Sequence, residues 1–412
     1  MTQVRRIVRI RDGAPQYLLN PSLPDSQTGA RRVLSLHERT GASAAFTGRG
    51  VTIAFIDSGF YPHPDLDDRV LVHVDATDAA IRLGTRFSRG NRESYVWHGQ
   101  MTSVIAAGSG RQSGGLYRGL APDARLVLIK VSDRHLRIKE RDILRGMRWL
   151  IAHAHEYNVR VLNISVGGDF QSQDPDHPLH RAVEKLTELG VTVVISAGNR
   201  GAQEVLPPAS AASAITVGGY DDSSQPDPAH WQLYHHSYGA GVGGVPKPEV
   251  LAVARWVASP IVPGSKMARR AYWLTQLFDL KTHDITRAMA IVAAGASDLG
   301  LTPEDLAAPT QLVLKSLKSL VAFDKLIDAQ HQHVDGTSVA SAVAAAVVAQ
   351  MIEANPRLTP HHIKAILMRT ALKLPDAESA RQGAGAINAS AAVRAALNVR
   401  DAEPDDKRTD RT

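Results

Sequence analysis

The sequence predicts an α/β protein with a mostly parallel sheet lying between helices. Two observations carry this expectation. From Val51 onward, short runs rich in β-branched residues alternate with helix-like stretches, and the strand-like runs are almost continuously apolar. Strands of that kind are buried on both faces, as in a parallel sheet covered by helices. Crossovers between such strands are right-handed almost without exception.

The elements follow in order. VTIAFID (51–57), RLVLIKVS (125–132), VRVLNISVGG (159–168), VTVVISAGN (191–199) and AITVGGY (214–220) read as strands. IKERDILRGMRWLIAHAHEY (138–157) and HRAVEKLTELG (180–190) read as helices between them. After KPEVL (247–251) the rhythm breaks, and residues from about 260 to 328 form an all-helical insert with no clear strand. A long Ala/Val-rich helix is expected from near Gly336 to about Ala354. TPHHIKAILMRTAL starts another, with Thr359 as its N-cap and Pro360 at its first position. No repeat of 20–50 residues is present.

Composition narrows the function classes. The chain has 412 residues and is 44% hydrophobic, which excludes a disordered or collagen-like protein. Only 5% is aromatic, so the core is expected to be Val, Ile, Leu and Ala. With no cysteine, disulfides, thiolate metal sites, Fe–S clusters and a cysteine nucleophile are excluded. The first twenty residues lack an apolar stretch of signal-peptide length. No window approaches a membrane span of about eighteen apolar residues, so the expectation is a soluble, cytoplasmic protein. Of the +6 net charge, +5 lies in residues 1–50, where eight Arg face Asp12, Asp25 and Glu38. A nucleic-acid binder would carry its basic stripe on the fold itself, so no nucleic-acid partner is expected.

Ligands of open parallel sheets bind outside the carboxyl ends of the strands. Asp57 ends the first strand, Asn163 and Ser165 stand toward the end of the third, and Asn199 ends the fourth. Two helix starts complete the set: His98 opens WHGQMTSVIAAG and Ser338 opens GTSVASAVAAAVVAQ. A serine at a helix N-terminus sits near unpaired N–H groups that favour developing negative charge. Ser, His and Asp held together would form a nucleophile, a general base and an orienting carboxylate. Asn199 would add a side-chain donor to an oxyanion hole beside the Ser338 N–H.

With these residues the sequence resembles the subtilisin-like serine proteases of the subtilase superfamily. The resemblance runs through GRGVTIAFIDSGFYPHPDL, HG at His98, GLAPDARLVLIKV, NISVGG, ISAGN, PPASAASAITVGGYD, KPEVLA, GTSVA and QGAGAINASAAVRAAL. It covers about residues 36–398 apart from the insert. It implies the subtilisin-like three-layer fold, a triad of Asp57, His98 and Ser338, Asn199 as oxyanion donor, and no cofactor for the chemistry. Structural calcium is left open. It also implies that a substrate strand pairs with Ser165, Val166, Gly167 and Gly168. The first-subsite pocket would be walled by that segment and by Ser196, Ala197, Gly198 and Asn199. Arg200 would stand at its rim, disfavouring basic side chains and tolerating acidic ones.

Departures from the family pattern are Gln100 for Thr, Val104 for Gly, Ala342 for Pro, Ala346 for Gly, and AVARWV for the usual Ala-Pro-Gly. None removes a reacting group. The expected organisation is a basic extension (1–35), a peptidase domain (36–398) with its insert, and a charged tail (399–412). Too few residues precede Val51 for both a signal and a large folding propeptide, so folding without one is expected. The extension or the insert could gate the cleft. The insert region, with eight basic and eight acidic residues between Ser259 and Asp335, would take a regulatory protein without electrostatic capture. The rival function is a catalytically silent, peptide-binding relative. His331 and His333 are assigned to the loop before Ser338. HExxH, GxSxG and P-loop spacings are all missing.

Overall fold

The strand-like runs become the middle of one nine-stranded sheet in a computed structural model of the chain. It describes residues 34–399 apart from 67, 78–80, 85–92, 134, 224–226, 279 and 281–283. The basic extension up to residue 33, its gating role, and the tail from residue 400 lie outside the described residues.

The strands are β1 (Thr52–Asp57), β2 (Val70–Asp75), β3 (Arg82–Gly84), β4 (Arg125–Lys130), β5 (Val159–Ile164), β6 (Thr192–Ser196) and β7 (Ile215–Asp221). Two-residue strands β8 (Gln232–Leu233), β9 (Gly239–Ala240) and β10 (Pro246–Lys247) precede β11 (Val250–Val253), β12 (Val257–Pro260) and β13 (His331–Val334). The main sheet runs β11-β7-β6-β5-β1-β4-β2-β3, with β8 added to β7. Within this sheet, among the described residues, only the β2–β3 and β7–β8 pairs are antiparallel. β1 lies between β4 and β5, in register from Ile53↔Leu126 on one side and Ile53↔Val161 on the other. Later strands are added first on one side of β1 and then on the other. A crevice opens at such a reversal, at the carboxyl end of β1.

Every residue of β1 is buried, which explains its unbroken apolar run. One face of the sheet packs α3 (Glu140–His153) and α4 (Pro178–Glu188) over Ala54, Ile56, Val127, Ile129 and Leu162. α3 buries Ile143, Met147 and Leu150 at helical spacing and exposes Arg141 and Arg148. The other face packs Ile53, Phe55, Leu126 and Leu128 under α2 (Glu93–Ala107) and α10 (Thr337–Ala354). Each fully buried Ile, Leu or Phe contributes roughly 1.5–3 kcal/mol. α11 (Pro360–Thr370) and α13 (Ala389–Leu397) close that layer, and the short α12 (Ser379–Gln382) joins them. Thr359 caps α11 by accepting the His362 N–H at 3.2 Å, with Pro360 first in the helix.

Several expectations need correction. α10 has a mean hydropathy of 1.5 over eighteen residues, long and apolar enough by composition to cross a membrane. It is instead a central core helix, 89% buried, and its run of Ala residues, including Ala342 and Ala346, lets it lie close to the sheet. β2, β3, β8 and β11 were not anticipated, because they are short or carry interspersed polar residues. The insert region is framed by strands: β12 and β13 pair antiparallel from Val257↔Val334 to Pro260↔His331. His331 and His333 therefore belong to β13 rather than to a loop. Between the two strands lie α5 (Lys266–Phe278), α6 (Ile285–Ala294), α7 (Ala296–Leu299), α8 (Pro303–Leu306) and α9 (Thr310–Phe323). They share a core of their own around Leu274, Val292, Val313 and Leu317.

Residue 34 onward is tied down through α1 (Leu36–Thr40), capped by Ser35 and ended by Gly41 in the left-handed region. Its Arg39 makes a two-pronged, buried pair with Asp222 at 2.8 and 2.7 Å. Nη1 and Nη2 also donate to the Trp256 and Arg255 carbonyls at 2.8 and 2.7 Å, so backbone acceptors share the guanidinium with the carboxylate.

Candidate active site

Three strand ends and two helices converge on the crevice beside β1. Asp57 is the last residue of β1 and fully buried. A buried carboxylate needs donors, and Asp57 has three. His98 Nδ1 is 2.6 Å from Oδ1, Ser58 N–H donates to Oδ1 at 2.6 Å, and Thr102 Oγ1 donates to Oδ2 at 3.0 Å.

His98 does not open its helix; α2 starts at Glu93, so the imidazole projects from the second turn. Its Nε2 lies 3.1 Å from Ser338 Oγ, so the ring bridges carboxylate and hydroxyl. Gly99 lets α2 come this close, because a Cβ there would lie 2.1 Å from the Gly59 carbonyl oxygen. Burial alone would lower the His98 pKa, but the Asp57 carboxylate outweighs it, and the net shift is upward from 6.5.

Ser338 is the second residue of α10, where backbone N–H groups lack partners within the helix. A hydroxyl chain lies beneath it. Asn163 Nδ2 donates to Ser165 Oγ at 2.9 Å, Ser165 and Ser341 hydroxyls pair at 3.1 Å, and Ser341 Oγ donates to the Ser338 carbonyl at 3.1 Å. Asn199 is oriented by Thr337, whose N–H and hydroxyl donate to Oδ1 at 2.9 and 3.0 Å. With Oδ1 so engaged, Nδ2 is the group left to donate. Gly336 (φ 139°) sits against it: a Cβ there would lie 3.6 Å from Asn199 Nδ2.

Beside Ser338 lies a cavity of about 210 Å³. Ser165, Val166, Gly167 and Gly168 line it together with Ser196, Ala197, Gly198, Asn199 and Arg200, so the expected substrate-binding residues and Ser338 share one cavity, while Asp57 lies buried behind His98. A second cavity, of about 340 Å³, borders His98, Ser58 and Ile138 and shares Ser165, Val166 and Gly167 with the first. The SVGG segment lies beyond the end of β5, and Gly168 N–H is already donated to Pro207 O at 2.7 Å. The Gly168 N–H is thus not available to pair with an extended ligand. Arg200 does not stand alone: its Nη1 is 3.2 Å from Glu204 Oε2, and Glu204 lines the same cavity. Among the described residues, no group of three or more His, Asp or Glu is placed to hold a metal ion.

Sequence reasoning missed Thr102, Ser341, Thr337, Glu204, Leu206, Ala209 and Ser237. Thr102 and Ser341 carried a signal, being four and three residues beyond His98 and Ser338 on the same helices. Glu204 and Ser237 reach the cleft on loops and carried none.

The comparisons agree with this geometry. The subtilase family model matches residues 48–385. Serine protease AprX of Bacillus subtilis (strain 168) is 29% identical over 360 residues, 84% of this chain and 67% of that protein. Subtilisin BL of Lederbergia lenta is 31% identical over 196 residues, 48% of this chain and 63% of its own. In structure, fervidolysin from Fervidobacterium pennivorans superposes with a TM-score of 0.60 at 18% identity, covering 91% of this chain and 49% of that one. A protease of Pseudoalteromonas arctica PAMC 21717 gives 0.58 at 20% identity, covering 85% and 91%. With its family match running through most of the sheet, both helices of the crevice and the insert between them, the chain belongs to the subtilase family of serine peptidases.

Proposed function

We propose that the chain is a serine endopeptidase that cleaves polypeptides through Ser338, His98 and Asp57. The observation that carries this is the bridging imidazole, 2.6 Å from Asp57 and 3.1 Å from Ser338 Oγ. Ser338 Oγ attacks the scissile carbonyl carbon while His98 Nε2 takes its proton. Asp57, accepting from Nδ1, keeps the imidazole in the tautomer whose Nε2 is free and stabilises the imidazolium that forms. The tetrahedral oxyanion takes hydrogen bonds from the Ser338 N–H and Asn199 Nδ2. His98 then protonates the leaving amine, the C–N bond breaks, and an acyl-enzyme on Ser338 remains. Water repeats the sequence, releasing the acid and restoring the hydroxyl.

The substrate is an extended polypeptide lying along residues 165–167, with the side chain before the scissile bond in the cavity beside Ser338. Glu204 offsets the charge of Arg200, so the rim offers both signs and selection against basic side chains is weak. Profiling with a peptide library tests this, because strong exclusion of Arg and Lys at that position contradicts it.

Fluorophosphonate labelling of wild type beside Ser338→Ala tests the mechanism. Labelling of wild type alone is expected. A folded wild type that binds peptides without labelling would instead be a silent, peptide-binding relative.

A further inference from the structure

The insert region leaves and re-enters the fold next to the nucleophile, and one carboxylate sits at that junction. Asp335 follows β13 and precedes Gly336, three residues before Ser338. Its Oδ1 accepts the Trp256 N–H at 2.9 Å, at the point where the chain departs into β12. Its Oδ2 accepts Lys325 Nζ, from the residue that follows the last insert helix and its C-cap. The side chain therefore ties together the two ends of the insert region and the backbone leading to Ser338.

The surroundings concentrate on the same point. Lys325 Nζ also lies 4.4 Å from the centroid of the Trp256 ring, and Arg255 lies 5.6 Å from it on the same residue. The Trp256 carbonyl accepts Arg39 Nη1 at 2.8 Å and His333 Nδ1 at 3.0 Å. Lys325 O accepts the His333 N–H at 2.8 Å, closing the hairpin over the junction. Trp256 and Lys325 hold φ of 56° and 53°, conformations that need tertiary support in residues with a Cβ. Downstream, Gly336 N–H donates to Ala254 O at 2.8 Å, so the segment between β11 and β12 also anchors the turn before Ser338.

We propose that Asp335 is a positioning residue: through Lys325 and Trp256 it makes the placement of Ser338 depend on a properly docked insert. This rests on the serine endopeptidase reading of the site and adds to it a route by which the insert controls turnover. Lys325 and Asp335 side chains are 31% and 22% exposed, so their ion pair adds little to global stability. Small displacements of a nucleophile can cost as much as about 10²-fold in rate, so the effect falls on chemistry. The glycine at 336 transmits the orientation without a side chain to buttress it.

The test compares wild type with Asp335→Asn, Lys325→Met, the double variant and Lys325→Arg in the full chain. The readouts are the fluorophosphonate labelling rate constant, kcat and KM on a peptide, and the melting temperature. Either single variant is expected to lower kcat and the labelling rate by about tenfold with KM within about twofold and little change in melting. The double variant should lose no more than the worse single, and Lys325→Arg should recover most of the rate. Unchanged rates overturn the proposal, as do losses confined to KM or losses that only follow the unfolded fraction. Failure of wild type itself to label would overturn the endopeptidase reading instead, so the two failures are distinguishable.

Discussion

Thr102 donates to Asp57 Oδ2 at 3.0 Å from one turn beyond His98, so a single helix supplies both the imidazole that reaches Ser338 and part of the support for the carboxylate beside it. The hydroxyl proton is shared with the Gly99 carbonyl at 3.1 Å, and the carboxylate is the stronger acceptor. Thr102→Val should lower kcat about tenfold, the scale of one hydrogen bond to a charged group. The same change concentrates charge on the Oδ1 facing His98. The acid limb of the pH–rate profile should therefore move upward, which steady-state assays across pH will show.

The pH dependence of wild type follows from the raised His98 pKa. The imidazole must be unprotonated to accept the Ser338 proton, so activity should fall as pH drops through a midpoint above 6.5. The stability contribution runs the other way. A histidine whose folded pKa is raised stabilises fully below its unfolded value, and that contribution fades as pH rises through the folded value. Melting of His98→Ala against Ser338→Ala should show this slope only in the protein that keeps the histidine.

Asn199→Ala should reduce kcat by about 10²–10³ with KM little changed, because the amide donor acts on the oxyanion rather than the ground state. Thr337→Val should produce a smaller loss. The backbone N–H of Thr337 still holds Oδ1 at 2.9 Å when the hydroxyl is gone. Parallel kinetics on the two variants checks the order.

Gln100, two residues past His98, is fully buried, and neither its Oε1 nor its Nε2 has a hydrogen-bond partner among the described residues. An unsatisfied buried amide costs about 1–3 kcal/mol. Gln100→Met keeps the length of the side chain and removes both polar atoms, so it should raise the unfolding free energy by about that amount. Denaturant melts at constant m-value are the measurement.

Asp57, Asn199 and Ser338 were legible in the sequence because strand ends and helix starts are local features, whereas His98 was read as opening a helix that in fact starts five residues earlier. An apolar run stops, a polar residue follows, and parallel β-strands put such residues at one edge. The β12–β13 ribbon was not legible. Its strands are four residues each, about seventy residues apart, and HQHV carries no strand-like apolar pattern. Only pairing with each other makes them strands.

The sequence by itself determined the sheet, the two helices of the crevice and the chemical types gathered there, since periodicity and residue identity dictate those locally. Tertiary structure alone decided that His98 and Thr102 satisfy Asp57, that the same imidazole reaches Ser338, and that Asp335 joins both ends of the insert to the Ser338 turn. Those relationships depend on side chains far apart along the chain being brought within about 3 Å, a distance that chain packing sets and local pattern does not.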